Sequence, residues 1–476
     1  MLSLFGTLDL ASRAMQAQMT GVDVTGQNLA NVSTTGYTRQ TVDIQASPDI
    51  STSIGDEGTG ANVVAIQQAV NSMLNGQIVT QQSSNGYWSA QQSALQSLQT
   101  NLDEFLNGTA STSSTSTDTT SDTGLAGQLS SLFDDFQAVA TSPTSISARQ
   151  ELISQAQTLS STFNQVDSQF DATRSSLNSS LTNDVSSANQ LLTGIAQLNG
   201  QISSAEFSGG TPNDLLDEQQ QDLQNLAQLT NIQTSTGSNG AVDVSIGGQS
   251  LVSGDKVLDT LQTYDASGNG SGQLLVQTAT GGVDLTLTGG SMQGTIDTRD
   301  GELTTMQNSI NTLASSLITQ INSVNSGGYS LTGTTSTDFF TGTDASNISV
   351  NQSLVNDPSL VQASGSATAS GDNTVALQLA DLGLATQSNL DGQTFGDSYG
   401  ETVAALGDAL SNANTQVTNQ SAVSTMLSTQ QSSVSGVNID QEMTNLMGFQ
   451  RAYEASAELV TTVNEMMETL NEMKSS

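Results

Sequence analysis

The chain has 476 residues, enough for two to four domains and a sizeable buried core. Charged residues make up 11% of it, and eight basic residues face 45 acidic ones for a formal charge of −37. A surface of this sign repels phosphate backbones and anionic lipid heads, which excludes nucleic-acid and membrane-surface binding and leaves solubility as the plain reason for the acidity.

Cysteine and histidine are both absent. That removes thiol nucleophiles, Ser-His and Cys-His pairs, thiolate and imidazole zinc sites, and any disulfide framework. No apolar run reaches the roughly 18 residues that begin to span a bilayer. Met1 to Leu10 carries an aspartate and no Lys or Arg, unlike a cleavable signal peptide, so export would need another route. Carboxylates are the only groups left for catalysis. Paired acids can cut glycans, but Asp134-Asp135 falls on a helix surface, and Asp391 to Glu401 misses the calcium-loop pattern because Phe395 and Thr402 stand where ligands belong. The chain reads as no enzyme, with no cofactor or metal.

Taken in order, Leu4, Leu8, Ala11, Met15, Gln18, Val22, Thr25 and Leu29 alternate by three and four, the stripe of an amphipathic helix. Gly6, Gly21 and Gly26 each cost about 1 kcal/mol relative to alanine, so this helix is marginal alone. Asn28 to Gln40 is a helix end, a Ser/Thr/Gly turn and an extended arm with Tyr37 and Arg39 set for contacts. Residues 41 to 66 suit a small hairpin, with Gly55, Gly58 and Gly60 at its turn. Gln67 to Leu106 is helical (Val70, Met73, Leu74, Ile78, Leu95, Leu98, Leu102, Phe105), and Trp88 within it is a packing residue. Residues 109–123 are nearly pure Ser, Thr and Asp, a disordered loop that can bury nothing.

Leu125 to Ala140 forms a helix that ends before Pro143. Ser147 to Ser204 then carries the longest seam, from Leu152 through Phe163, Phe170 and Leu191 to Ile202, with one phase slip at Leu177 to Leu181. An unbroken helix there is roughly 75 to 85 Å long. Pro212 to Asp217 opens another helix, with Leu223, Leu226 and Leu229 inward. Near Gly237 the period changes to two: Val242, Val244 and Ile246, then Val283, Leu285 and Leu287, alternate with polar residues as in an antiparallel β module. Thr298 to Val324 is helical again. Residues 325–400 are Gly-, Ser- and Thr-rich with short strands and one helix near Val375 to Leu382, and Glu401 to Ser433 returns as a helix. Finally Leu446, Phe449, Tyr453, Val460, Val463, Met467 and Leu470 form a heptad stripe between Ile439 and Met473, interrupted at Ser456, opposite a face of Gln450, Glu454, Glu458, Asn464, Glu465, Glu468 and Glu472. A helix greasy on one side needs a partner, and the first helix is the candidate, lying antiparallel to it.

The fold class is therefore mainly α with an inserted β module (α+β, multidomain): a terminal coiled coil from 1–36 and 437–476, a rod-like helical domain from 37–236, 295–325 and 400–436, and a β-rich outer insertion from 237–294 and 326–399. The stretch Asn28-Leu29-Ala30-Asn31 to Gly36-Tyr37-Thr38-Arg39-Gln40, with Ser435-Gly436-Val437-Asn438-Ile439-Asp440 and Gln450-Arg451-Ala452-Tyr453-Glu454 at the other end, resembles the paired signatures of the flagellar rod, hook and hook-associated proteins. The Gly-Tyr-Thr-Arg-Gln arm and the Ser-Gly-Val-Asn-Ile-Asp approach are most similar to the hook–filament junction family within that superfamily. In that family an arginine usually follows the second aspartate of the Pro212–Asp217 motif by two positions. Gln219 stands there instead, which puts a salt bridge at that point in doubt.

The resemblance implies a secreted structural subunit of the flagellum, used in motility, that leaves through the flagellar type III export apparatus and assembles with itself as a ring. Its implied neighbours are the flagellar hook protein and a second hook–filament junction protein, with an export chaperone on the C-terminal helix beforehand. The expected assembly residues are Leu8, Met15, Val22, Leu29, Asn31, Tyr37, Arg39, Leu446, Phe449, Tyr453, Val460, Val463, Met467 and Leu470. Both ends are expected to be mobile in the free monomer. The competing readings are a rod or hook subunit of the same superfamily and a secreted Ser/Thr-rich adhesin, which leaves the two terminal signatures unexplained.

Overall fold

A computed structural model describes residues 4–52, 55–107, 124–237, 239–268 and 272–475. The chain begins with α1 (Leu4–Ala30), then strands β1 (Gln40–Ala46), β2 (Ile50–Thr52), β3 (Gly55–Glu57) and β4 (Ala61–Gln68). Helices α2 (Ser72–Asn107), α3 (Leu125–Thr141), α4 (Ile146–Phe207) and α5 (Asn213–Leu229) follow. Next come β5 (Ile232–Thr236), β6 (Val242–Ile246), β7 (Gln249–Ser253), β8 (Lys256–Val257), β9 (Leu261–Asp265) and β10 (Leu274–Thr278). The last part is α6 (Gly290–Thr298), a π turn (Arg299–Leu303), α7 (Thr304–Asn325), β11 (Phe340–Thr341), β12 (Ser349–Val350), α8 (Gln352–Asn356), α9 (Thr374–Asp381), α10 (Phe395–Ser435) and α11 (Ile439–Ser475).

The spine is α4, 62 residues long, or about 90 Å at the α-helical rise. It starts at Ser145, whose side chain accepts from the Ala148 amide at 3.2 Å and satisfies one of the first-turn donors. Two cores sit on it end to end. Leu152, Leu159, Phe163, Phe170 and Leu177 pack with α2, α3, α7, α9 and α10. From Leu181 onward, through Leu192 and Ile195, the same helix packs with Leu226 of α5 and with Val244, Ile246, Leu251 and Val252 of the sheet. The phase slip at Leu177 to Leu181 is therefore the boundary between the two cores: the apolar stripe rotates because its partner changes. The helix itself runs through the slip unbroken.

The second core carries the β module, a four-stranded antiparallel sheet in the order β5-β6-β7-β8 and a β9–β10 hairpin. Asn199, fully buried on α4, fastens the sheet: its Nδ2 donates to the Val242 and Gly254 carbonyls at 2.8 and 2.7 Å, and its Oδ1 accepts from the Val242 amide at 2.9 Å. Gln219 completes this network by donating to Asn199 Oδ1 at 2.7 Å. An uncharged amide thus serves where the family pattern has an arginine. Arg299, buried in the π turn, donates to both Asp300 oxygens at 2.8 and 2.7 Å, to Asn178 and to the Leu274 carbonyl, tying the hairpin to the helices. Helices α2 and α5 touch backbone to backbone at Gly86, where a Cβ would fall 1.9 Å from the Gln228 carbonyl oxygen.

Several elements depart from the sequence reading. Residues 326–399 are not a β-rich outer insertion: β11 and β12 are a single two-residue pair, and Phe339, Phe340, Ile348, Leu354, Val361 and Leu379 lie in the first, helical core. Irregularly spaced apolar residues pin the segment there, and the buried Arg149 guanidinium donates to the Pro143 and Val361 carbonyls. Burial lowers the Arg149 pKa to about 10. Residues 283–287 make one isolated bridge, Gln277 to Asp284, instead of a strand. Residues 290–298, placed mostly in the β module, are α6, and α10 begins at Phe395, capped by Thr394. The Ser/Thr stretch 109–123 lies outside the described residues. Residues 40–68 do form the hairpin, with β1 antiparallel to β4 and a bulge at Asp43/Ile44.

Candidate functional site

α1 and α11 lie antiparallel, each covering the other's apolar face. Asn28 meets Glu442 near one end, and a turn or two along, Gly21 sits so close to Phe449 that a Cβ would fall 2.6 Å from its ring. The interior glycine that costs helix propensity is therefore what admits the phenylalanine. On α1 the buried positions are Ala11, Ala17, Gly21, Val24, Thr25 and Asn28. Leu8, Met15, Val22 and Leu29 are half-buried at the edge of this face instead of at its centre. The face is broader than a two-helix seam because β1 and β4 also pack on α1, with Leu10 against Gly60.

On α11 the inward positions run Glu442, Leu446, Phe449, Ala452, Ser456, Val460, Val463 and Met467, of which Glu442 and Val463 are fully buried. Ser456 does not interrupt the seam. Its hydroxyl donates to the Ala452 carbonyl at 2.8 Å and so is carried in the seam at little polar cost. Tyr453 and Leu470 stand outside it, 40% and 52% exposed. The polar face of Gln450, Glu454, Glu458, Asn464, Glu465, Glu468 and Glu472 is exposed.

Where this pair joins the body, polar side chains replace apolar ones. Asn28, 1% exposed, uses both ends of its amide. Its Nδ2 donates to the Gln40 carbonyl at 2.8 Å and to Glu442 Oε2 at 3.0 Å, while its Oδ1 accepts from the Gln40 amide and the Tyr37 hydroxyl, each at 2.9 Å. Arg39 Nε donates to Glu442 Oε1 at 2.8 Å, and the Arg39 amide donates to the Ser435 carbonyl at 2.8 Å. Glu442 lies in the first turn of α11, whose Asn438 cap accepts from the Gln441 amide at 3.2 Å, so the helix dipole also favours its charge. Asn31 closes the intervening turn by accepting from the Thr34 amide at 2.9 Å, and Gly36 supplies its positive φ of 83°.

The first turns of α5 hold the arm from the other side. Asp217 accepts from the Thr38 amide and from Gln68 Nε2, both at 2.9 Å, and Asp214 accepts from Gln40 Nε2 at 3.2 Å. Burial pushes the Asp217 carboxyl above its ordinary range against the pull of these bonds. Burial, with Asp214, Asp217 and Glu442 nearby, pushes the Tyr37 hydroxyl up to about 12, so it stays a donor. The arrangement holds parts together and presents no reactive pair. Among the described residues no group of three or more carboxylates is placed to hold a metal ion. Asn28, Gln40, Asp214, Asp217 and Glu442 were not among the expected site residues. The available signal was a polar residue at a helix position turned toward a partner, as Glu442 is, four residues before the first seam position, Leu446.

These features have counterparts in known proteins. The family described as flagella basal body rod protein matches residues 8–38, and the C-terminal family of the flagellar basal body rod FlgEFG proteins matches 422–473. The two matches take in Asn28, Tyr37 and Glu442 and stop one residue short of Arg39. The flagellar hook-associated protein FlgK helical domain matches 110–340. Flagellar hook-associated protein 1 of Bacillus subtilis is 26% identical, with 98% of both chains covered. The protein of that name from Escherichia coli is 23% identical over 97% of this chain and 98% of its own.

The chain belongs to the flagellar hook-associated protein 1 family. The solved flagellar hook junction protein FlgK from Burkholderia pseudomallei has the same fold, with a TM-score of 0.63 at 20% identity over 76% of this chain and all of its own. As a member of the hook-associated protein 1 family, the chain is a structural protein of the bacterial flagellum at the hook–filament junction, and its relatives are structural components.

Proposed function

We propose that the chain is exported and then forms a ring, with the flagellar hook protein on one side and the second junction protein on the other, and that α1 and α11 are its assembly surface. The observation that carries this is what the terminal pair leaves uncovered: Phe5, Met19, Leu459, Met466, Leu470 and Met473 are all exposed large apolar side chains. Leu459, Met466, Leu470 and Met473 fall on one side of α11, beside its acidic stripe. At 37 residues against 27, α11 also outruns α1. A paired helix that still shows an apolar stripe is unfinished, and neighbouring subunits would cover it. The role is structural and not catalytic.

Passage through a narrow channel favours termini that open readily, and a two-helix pair with few fully buried side chains is suited to that. An export chaperone would take the same apolar side of α11 before assembly. A deletion strain tests the reading: hooks without filaments and flagellin released to the medium are the expected phenotype, and a strain lacking hooks would place the chain in the rod or hook instead. Val460→Glu should block complementation while the helical body stays folded.

A further inference from the structure

Two copies of a chain with a formal charge of −37 repel each other over most of their surfaces, so any face that brings copies together must carry little charge. Helix α10 is one of the exposed elements that meet that condition. From Ala409 to Ile439 there is no charged residue, and the part of this stretch that lies in α10 is mostly exposed after Ala413, with Leu427 and Ser435 its only buried residues among those described. Leu427 faces α2, where it meets Leu74 and Ile78. Val423, Met426 and Val434 lie on a neighbouring flank of the helix and are exposed, Met426 by 60%. Helix α2 beside it is also uncharged from Ser72 to Leu102.

Four threonine hydroxyls on this part of α10 are already satisfied within the helix. The hydroxyls of Thr415, Thr418, Thr425 and Thr429 each donate to the carbonyl four residues earlier, at 2.8 to 2.9 Å. Covering these four hydroxyls takes little hydrogen bonding away from water.

From this we infer that the uncharged flank of α10, centred on Val423, Met426 and Val434, is the lateral contact between neighbouring copies of this chain, each copy laying this flank against a different face of the next. The inference rests on ring formation and adds the surface that makes it. A cationic partner would gain more from the acidic faces elsewhere, whereas a second acidic copy gains from an uncharged face such as this one.

The absence of cysteine makes the test clean. Met426→Cys carrying a benzophenone maleimide is incorporated into flagella, irradiated, and the isolated appendages are analysed by mass. Adducts of two copies, near twice 49.1 kDa, are expected, and should fall at least tenfold when Val423→Glu is added. Adducts to hook or filament proteins, or labelled chain that enters the appendage without self-adducts, overturn the inference and leave the junction role standing. Chain that never enters the appendage, while wild type does so, is resolved with Gln430→Cys on the same flank. If both labelled variants are excluded from the strain's flagella although folded by circular dichroism, a diazirine amino acid of methionine's size at position 426 is read for the same self-adducts, and their absence overturns the inference. If wild type is also absent from flagella, the functional reading and this inference fail together.

Discussion

Removing the Glu442 carboxylate should loosen both ends of the chain at once. Glu442 is 2% exposed and its partner Arg39 19%, and the same carboxylate takes a bond from Asn28. Glu442→Ala therefore leaves a guanidinium and an amide without their acceptor in a largely dry site. Breaking a buried pair from one side costs about 3 to 5 kcal/mol, and the partial exposure of Arg39 puts this case near about 3. If the terminal pair opens as a unit, that is roughly a hundredfold rise in the open population. Hydrogen exchange read by mass spectrometry should show peptides from residues 4–30 and 439–475 exchanging about a hundredfold faster, with α4 peptides unchanged. Glu465→Ala, on the exposed face of α11, is the control. Exchange at both ends within threefold of wild type would refute the reasoning that this clamp holds them.

Gly21→Ala should destabilise the terminal pair despite better helix propensity, because the new Cβ would fall 2.6 Å from the Phe449 ring, whereas Gly26→Ala, with nothing within 4 Å, should stabilise it by up to about 1 kcal/mol; thermal melts of the two variants should move in opposite directions. Asn199→Ala strips partners from Val242, Gly254 and Gln219, at about 3 kcal/mol, and exchange in β6 and β7 should rise while α3 stays protected. For pH, burial holds the carboxyls of Asp135, Asp184, Asp217, Asp222 and Glu302 above their ordinary range. Their ionisation therefore costs the folded state more than the unfolded one, and stability should rise as pH falls from 8 toward about 5, helped by the loss of net negative charge. Below about pH 4 the trend should reverse as Asp259, held down to about 2 by backbone amides, and Asp344 and Asp372, lowered by hydroxyl and amide donors, become protonated. A melting temperature that falls steadily from pH 8 to pH 5 would contradict this.

Periodicity carried the long elements because each helix buries a continuous stripe, and it located the change of partner along α4 at Leu177 to Leu181. It set the α1 stripe one position off at Val22 and Leu29, since a helix wedged between α11 and a hairpin buries a wider arc than a two-helix seam. It excluded Ser456, whose hydroxyl is satisfied locally, and it included Tyr453, which faces out. Residues 326–399 were misjudged because lone apolar residues without a period, such as Phe339 and Val361, can anchor an irregular segment in a core as firmly as a helix does. The clamp was half-visible: Tyr37 and Arg39 stood out as contact residues, but Glu442, which pairs with Arg39, and Asp217, which accepts from the Thr38 amide between them, lie distant in sequence, and only the fold brings them together.

The central claim is that this chain sits between hook and filament. Ala279→Cys, exposed in the β module, gives a single site for gold labelling, and electron microscopy of labelled flagella reads its position directly. A narrow band at the boundary of hook and filament is the predicted result. Gold spread along the hook, confined to the rod, or found only on the cell surface away from flagella would contradict the account.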